Sequence, residues 1–461
     1  MKHSLLTPAP ILTGLFAVLI AALWVLVPHP ALVVALCALP LAILVVIRQL
    51  FWFVILFVVF SFFRIHEVIP QLMPLKLPLL LSLGALASLC WHVFISRTLD
   101  LYWHPSMKWL VLFWALVTIG LLFASNRGIA ISSYKSVYWK IIIMTLAIIW
   151  IVNNKQQLTQ TCWLIVWSGL LVASVALYNA QAGIGLVEGS RVTIGRAIGS
   201  MLGDPNDLAL VLLFPLAFSV SFLFNPRLGW LPRTFGFIVA AALSLSIIET
   251  QSRGGLLGML TVYGIFMQQA IKSKLLLISI GICGMAFLYA VAGISDRASG
   301  GAAEEGIDAS AMGRLYAWEA AARMSVVNPL TGVGLNNFYS NYYYYSSHWD
   351  GLPHAVHSTW FGVLGETGML GLAVFIAMIV SLARTAKRSL DTLNASHSPP
   401  PYLVSASKAV LAGLMGTVVS GTFLTQGFVW PIYILAALII CISTIVQNDS
   451  QIEKDNPSHI N

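Results

Sequence analysis

Apolar runs long enough to cross a bilayer return again and again along this chain, and that recurrence constrains its fold more than any single motif. A spanning helix needs roughly 20 mostly apolar residues, because within lipid every backbone N–H and C=O must be paired inside its own segment. Such runs fall near Ile11–Val27, Ala31–Ile47, Phe51–Phe63, Leu79–Phe94, Trp109–Phe123, Ile141–Val152 and Cys162–Leu177. More follow near Leu208–Phe224, Phe235–Ile248, Leu256–Gln268, Leu275–Ala292, Ser358–Ala383, Val410–Leu424 and Val429–Val446. Only 9% of the 461 residues are charged and 58% are hydrophobic, which excludes a soluble domain. The expected fold is an all-α polytopic integral membrane protein with about 12 to 14 transmembrane helices.

The polar segments divide the chain. Residues 1–292 carry the N-terminal spans, 293–356 form a large loop, 357–446 carry the C-terminal spans and 447–461 are a polar tail expected to be disordered. The first run starts with Lys2-His3 like a signal peptide, but no small-residue cleavage pattern follows, so it reads as an uncleaved span. The net charge of +8 comes from cations scattered between apolar runs, which suits membrane orientation and anionic lipid rather than nucleic acid. Cysteines 37, 90, 162, 283 and 441 all lie in apolar runs without metal-ligand spacing and read as small hydrophobes. Neither a metal nor a cofactor is expected.

With a cytoplasmic N-terminus and alternating spans, the loops bearing Arg48, Arg97, Lys108, Lys155, Arg227, Arg233, Lys272, Lys274, Arg384, Lys387 and Arg388 fall on the cytoplasmic side. Arg64, Lys76, Arg127, Lys135 and Lys140 fall on the other side, as do the loops 178–207, 249–255 and 293–353. Arg191, Arg196, Arg253, Arg314 and Arg323 then face outward, where orientation gives no reason for them. An anionic ligand at that face would.

The large loop opens with a Gly/Ala/Glu-rich piece, 299–306, that can bury little. From Ser310 to Met324 the spacing of Ala311, Leu315, Trp318 and Ala322 predicts an amphipathic helix on the membrane surface, with Asp308 or Ser310 as N-cap. Asn328 to Gly334 is turn chemistry that ends it. Tyr342 to Tyr345, followed by His348 and Trp349, reads as an interfacial aromatic belt or a sugar-stacking platform.

Beyond that loop His357 stands at the mouth of a long apolar helix with glycine at 362, 365, 368 and 371, a spacing that lets helix backbones approach closely. An imidazole there suits acid-base chemistry at a membrane surface, and equally an interfacial polar residue or a cap shared with Ser358. Glu366 is expected to face a neighbouring helix, and Asp204 and Asp207 read as turn and N-cap residues around Pro205. His354 precedes the helix as an alternative base.

Three pieces together resemble the O-antigen ligase and O-antigen polymerase superfamily of bacterial envelope proteins. They are Gln251-Ser252-Arg253-Gly254-Gly255, then Gly313-Arg314 with Trp318 and Pro329 to Gly334, and His357-Ser358 followed after nine residues by Gly368-x-x-Gly371. The last fits that family's ligase pattern without a mismatch, and Gly203 to Asp207 resembles its exosortase-associated O-glycosylation ligase subgroup. The resemblance implies metal-independent, inverting transfer of a glycan from an undecaprenyl-diphosphate carrier to a hydroxyl at the periplasmic face of the bacterial inner membrane. The acceptor would be a lipid A core sugar, another glycan or a protein side chain, so a polymerase or a protein O-oligosaccharyltransferase shares the same donor chemistry. The family's essential histidine maps onto His357 and its two essential arginines onto Arg253 and Arg314, with Arg191 or Arg196 as substitutes for either. Trp318 and Tyr343 are candidate glycan contacts. Guanidinium groups match phosphate oxygens bidentately at any working pH, and Arg253 opens a helix whose free N–H groups favour anions. The competing class is a lipid-linked glycan flippase, but such transporters carry midplane charges and repeated halves, whereas these charges gather at one face.

Overall fold

The computed structural model describes residues 30–271, 273–291, 309–349 and 351–455, together with seven isolated N-terminal positions (14, 17, 18, 21, 22, 24 and 25). The run Ile11–Val27 as a whole, the piece 299–306 and the cap candidate Asp308 lie outside the described residues. Those residues form helices α1 (Pro30–Arg48), α2 (Leu50–Phe62), α3 (Leu77–Ile95), α4 (Met107–Phe123), α5 (Arg127–Ile151), α6 (Lys155–Ala182), α7 (Pro205–Phe224) and α8 (Trp230–Glu249). They continue with α9 (Arg253–Ala270), α10 (Lys274–Val291), α11 (Ala309–Val327), α12 (Phe338–Tyr345), α13 (Thr359–Ala395), α14 (Pro401–Gly421) and α15 (Trp430–Asp455). This is an all-α, multi-pass membrane protein.

Eight of the described helices are long and apolar enough to cross a membrane, and α1 with α2 adds a ninth span if the pair, bent by 84°, is counted once. Helix α4 is apolar but shorter. The number is below the count of apolar runs partly because two runs join across the bend at Gln49 and one lies outside the described residues. Arg127, Lys135 and Lys140, expected in a loop, lie on α5 instead, which starts early because the Asn126 side chain caps it by accepting from the Ile129 N–H at 3.2 Å. The polar tail is likewise helical further than expected, to Asp455. Gln447 Nε2 donates to Ser443 Oγ at 3.4 Å and Asp449 pairs with Lys155 at 2.9 Å, so the first residues of that tail have partners to fold against.

Helices α7, α14 and α15 form the middle of the bundle: 83% of the apolar window of α7 and 89% of that of α15 are buried, against 11% for α3. Helix α7 packs on α8 and α14, α9 on α14, and α13 on α4 and α15. Close approach is made by small residues where the helices cross: a Cβ added at Gly258 of α9 would lie 3.1 Å from the Gly416 carbonyl of α14. Outside this bundle α11 lies along α13, burying Ala317, Ala320, Ala321 and Met324, a stripe at helical spacing. Leu315, expected on the apolar face, is 47% exposed, because the helix presents its alanines to α13 and so turns Leu315 outward.

Candidate functional site

Three helices begin beside one another. At the start of α7 the Asp204 carboxylate accepts from the N–H groups of Asn206 (2.7 Å) and Asp207 (3.3 Å), with Pro205 in the first position. Helix α9 starts at Arg253 after Ser252, whose buried hydroxyl accepts from the Gly255 N–H at 3.2 Å. Helix α13 starts after Ser358, also buried, whose hydroxyl accepts from the Phe361 N–H at 3.5 Å. All three meet the connection from α14 to α15. Thr359 Oγ1 donates to the Leu424 carbonyl (2.7 Å) and accepts from the Gln426 N–H (2.9 Å), while Gln426 Nε2 donates to Asp207 Oδ1 (3.5 Å). A Cβ at Gly254 would stand 3.3 Å from the Ser420 carbonyl and the Phe423 side chain. The caps take up first-turn N–H groups, and all three starts bring the positive end of a helix dipole to this region, so their convergence favours an anion.

Arg191 fastens two of these starts. It is 5% exposed, its Nε donates to the Thr250 carbonyl (3.1 Å), its Nη2 donates to Asn206 Oδ1 (3.1 Å), and Glu188 lies 3.8 Å from Nη1. Arg196 is exposed and donates to the Gly203 carbonyl at 3.2 Å.

His357 sits between two fixed residues. On one side the Trp318 indole N–H donates to the Val356 carbonyl (3.1 Å) and its ring stacks on Phe361, centroids 5.0 Å apart and planes 8° apart. On the other side Ser358 caps α13. The residue between them is held at φ +43°, a left-handed conformation that costs a bulky side chain about 1–3 kcal/mol and persists where its surroundings over-determine it. Burial is the main cause that keeps the imidazole below its ordinary pKa; the Arg314 guanidinium lowers it further, Asp204 opposes this, and His354 adds to the lowering. Arg314, from α11, and Asp204, from α7, therefore lie within electrostatic reach of the ring. Arg253 opens the helix whose first turn packs on the 420–424 segment, the same segment that receives Thr359.

The glycines of α13 have two uses: Gly365 lets α11 approach, a Cβ there lying 3.4 Å from Ala321, and Gly368 does something else. Gly368 adopts φ +73° and breaks the helix, and the segment after α11 docks into the break. Val333 and Gly334 N–H groups donate to the carbonyls of Gly365 (2.9 Å) and Glu366 (3.0 Å), and the Met369 N–H donates to Pro329 O (2.8 Å). A Cβ at Gly368 would lie 2.5 Å from that Pro329 oxygen. One at Gly371 would strike Thr367 of the same helix. Glu366 is structural: its carboxylate accepts from the Asn336 N–H (2.7 Å) and the Phe338 N–H (3.5 Å) at the start of α12.

The aromatic segment forms a chain of contacts. His354 meets Tyr342 edge-on (5.4 Å), Tyr342 meets Trp349 (6.1 Å), and Trp349 meets Tyr343 (5.0 Å). Tyr342 is buried while Tyr343 and Tyr344 are exposed. Arg323 is accounted for by Glu319, 2.6 Å away. Local sequence reads Asp204 as a turn and cap residue within the Gly203–Asp207 stretch and gives no sign of the 422–427 connection; the only local signal is that stretch itself, polar and crowded beside outward-facing arginines.

Residues 238–376 match the family model described as O-antigen ligase. No curated protein matches the chain. The matched segment contains Arg253, Arg314, His357, Gly368 and Gly371, and leaves Asp204, Arg191, Arg196 and the 422–427 connection outside it.

Proposed function

We propose, from the match of residues 238–376 to the O-antigen ligase family model, that this protein is a membrane glycosyltransferase moving a glycan from an undecaprenyl-diphosphate carrier to an acceptor hydroxyl at the periplasmic face of the bacterial inner membrane. The observation that carries the reading is His357: an imidazole on a residue of fixed left-handed backbone, its pKa lowered by burial and by Arg314, beside the meeting point of three helix starts. A neutral imidazole is a general base, a role worth roughly 10²- to 10⁴-fold. His357 takes the proton of the acceptor hydroxyl as that oxygen bonds to the anomeric carbon. The bond from this carbon to the diphosphate oxygen breaks, and the electron pair leaves with the diphosphate. Arg253, Arg314 and the helix starts hold the resulting charge, and Asp204 balances the imidazolium. A single displacement inverts the anomeric configuration and needs no second carboxylate as nucleophile. Ligation to a lipid A core sugar is the reading the intact His-Ser-x9-Gly-x-x-Gly spacing supports; a polymerase or protein O-oligosaccharyltransferase would share this donor site and differ in acceptor.

The test is transfer from purified lipid-linked glycan to a panel of acceptors, in detergent with a chelator present. His357→Ala is expected to insert normally and give no product. Full activity in that variant removes the catalytic role, and carrier movement across vesicles without any transfer product would make the protein a flippase. Arg253→Lys and Arg314→Lys are expected to lose on the order of 10²-fold in kcat/KM despite keeping their charge, because an ammonium does not serve a bidentate phosphate site. Unchanged rates for both would mean that the diphosphate is held elsewhere.

A further inference from the structure

At the end of the bundle away from His357, a cavity of about 630 Å³ opens between the start of α4, the lower half of α13 and the end of α15. Helix α13 is long and apolar enough to cross a membrane, with His357 just before its start and Arg384 and Arg388 in its last third, so the two regions belong to opposite membrane faces. Along one face of α13, Ile376, Val380, Arg384 and Arg388 follow at four-residue steps and all line the cavity. The surface thus turns from apolar to cationic along a single helix.

The cationic end is completed by Lys108, whose Nζ lies 5.1 Å from the centre of the Trp109 ring. Among the described residues no carboxylate lines the cavity, and Lys108, Arg384 and Arg388 enter no ion pair. The walls are joined by side-chain hydrogen bonds: His104 Nε2 with Ser443 Oγ (3.2 Å) ties α15 to the segment before α4, and Ser106 Oγ with Thr385 Oγ1 (2.8 Å) ties that segment to α13. A preformed hollow with cations at one end and an exposed aliphatic strip leading from them has the chemistry of an amphiphile site. Basic pockets between membrane helices receive anionic headgroups in this way.

We propose that this cavity binds an anionic phospholipid, with its phosphate between Lys108, Arg384 and Arg388 and an acyl chain along Ile376 and Val380. The assignment is independent of glycosyl transfer. Orientation by positive charge alone would explain cations at this face, but not their gathering around a hollow continuous with an aliphatic strip.

The full chain in detergent is titrated with phosphatidylglycerol brominated in its acyl chains, and tryptophan quenching is followed. Quenching is expected to saturate, and Trp109→Phe to remove a defined part of it. In Arg384→Gln/Arg388→Gln, both on an exposed helix face, half-saturation of that part should move at least ten-fold higher while thermal unfolding stays where it was. Equal quenching of Trp109 by brominated phosphatidylcholine would overturn the proposal, as would an unaltered titration in the double variant. Displacement of the brominated lipid by glycerol phosphate at the lipid's own half-saturating concentration would also overturn it, since a soluble phosphate would then suffice.

Discussion

After burial, the two largest charges that tune His357 come from far away in sequence, with only the smaller effect of His354 arising nearby. Arg314 and Asp204 reach it from two other helices and act in opposite senses. If the imidazole is the base, kcat/KM falls as the pH drops through its pKa, and because that pKa lies below 6.5 the acid limb should lie below the ordinary imidazole range. Arg314→Gln removes a lowering cause, so the limb should move to higher pH. Asp204→Asn removes the raising cause, so it should move lower. A pH profile of transfer by the two variants reads these shifts even where maximal rates differ, and identical limbs in both would detach the ring from both charges. His357, Arg253 and Arg314 can be nominated from sequence because each stands in a short motif with recognisable spacing. The effect of Asp204 on His357 cannot, since nothing local separates a capping aspartate from one that also faces an imidazole brought in by another helix. Nor could composition reveal that Arg191 is a buried strut with protein acceptors around it.

The glycines of α13 illustrate what spacing alone leaves open at the level of an element. A three-residue period is the same pattern whether it lines a helix crossing or contains a break, and only the backbone angle at Gly368 separates the two. Gly368→Ala would have to accept φ +73° or close the break against the Pro329 carbonyl, so a loss of more than about 1 kcal/mol is expected, read as a lower unfolding temperature in detergent with impaired transfer. Gly313→Ala, within α11 and facing open space, is expected to be neutral or stabilising by up to about 1 kcal/mol. Equal stability of the two variants would mean that the docked 329–334 segment does not depend on the break. The buried stripe of α11 differs in phase from the one its spacing predicts for a related reason: alanines and a methionine form the contact, and the larger Leu315 points away.

Across the whole molecule, hydropathy made the fold class plain, because the bilayer imposes helices on any long apolar run. It did not reveal the bend after α1, the early start of α5 or the helical extension to Asp455, all of which depend on partners distant in sequence. Opposite faces for the two sites can be checked with single cysteines in a background where the five native cysteines are serine. Ser347→Cys and Asp391→Cys, both at exposed positions, should be labelled by an impermeant maleimide from opposite sides of sealed vesicles. Labelling of both from one side would undo the assignment of faces.

The break at Gly368 also bears on how the protein sits in lipid. The first turns of α13 are pinned to the 329–334 and 422–427 segments, whereas the remainder runs on as a separate rod. Because that rod is packed on α4 and α15, it can tilt only together with them in a thicker or thinner bilayer, and the joint keeps such a tilt from being passed to the imidazole along one rigid helix. Turnover should accordingly vary little among vesicles of differing acyl length.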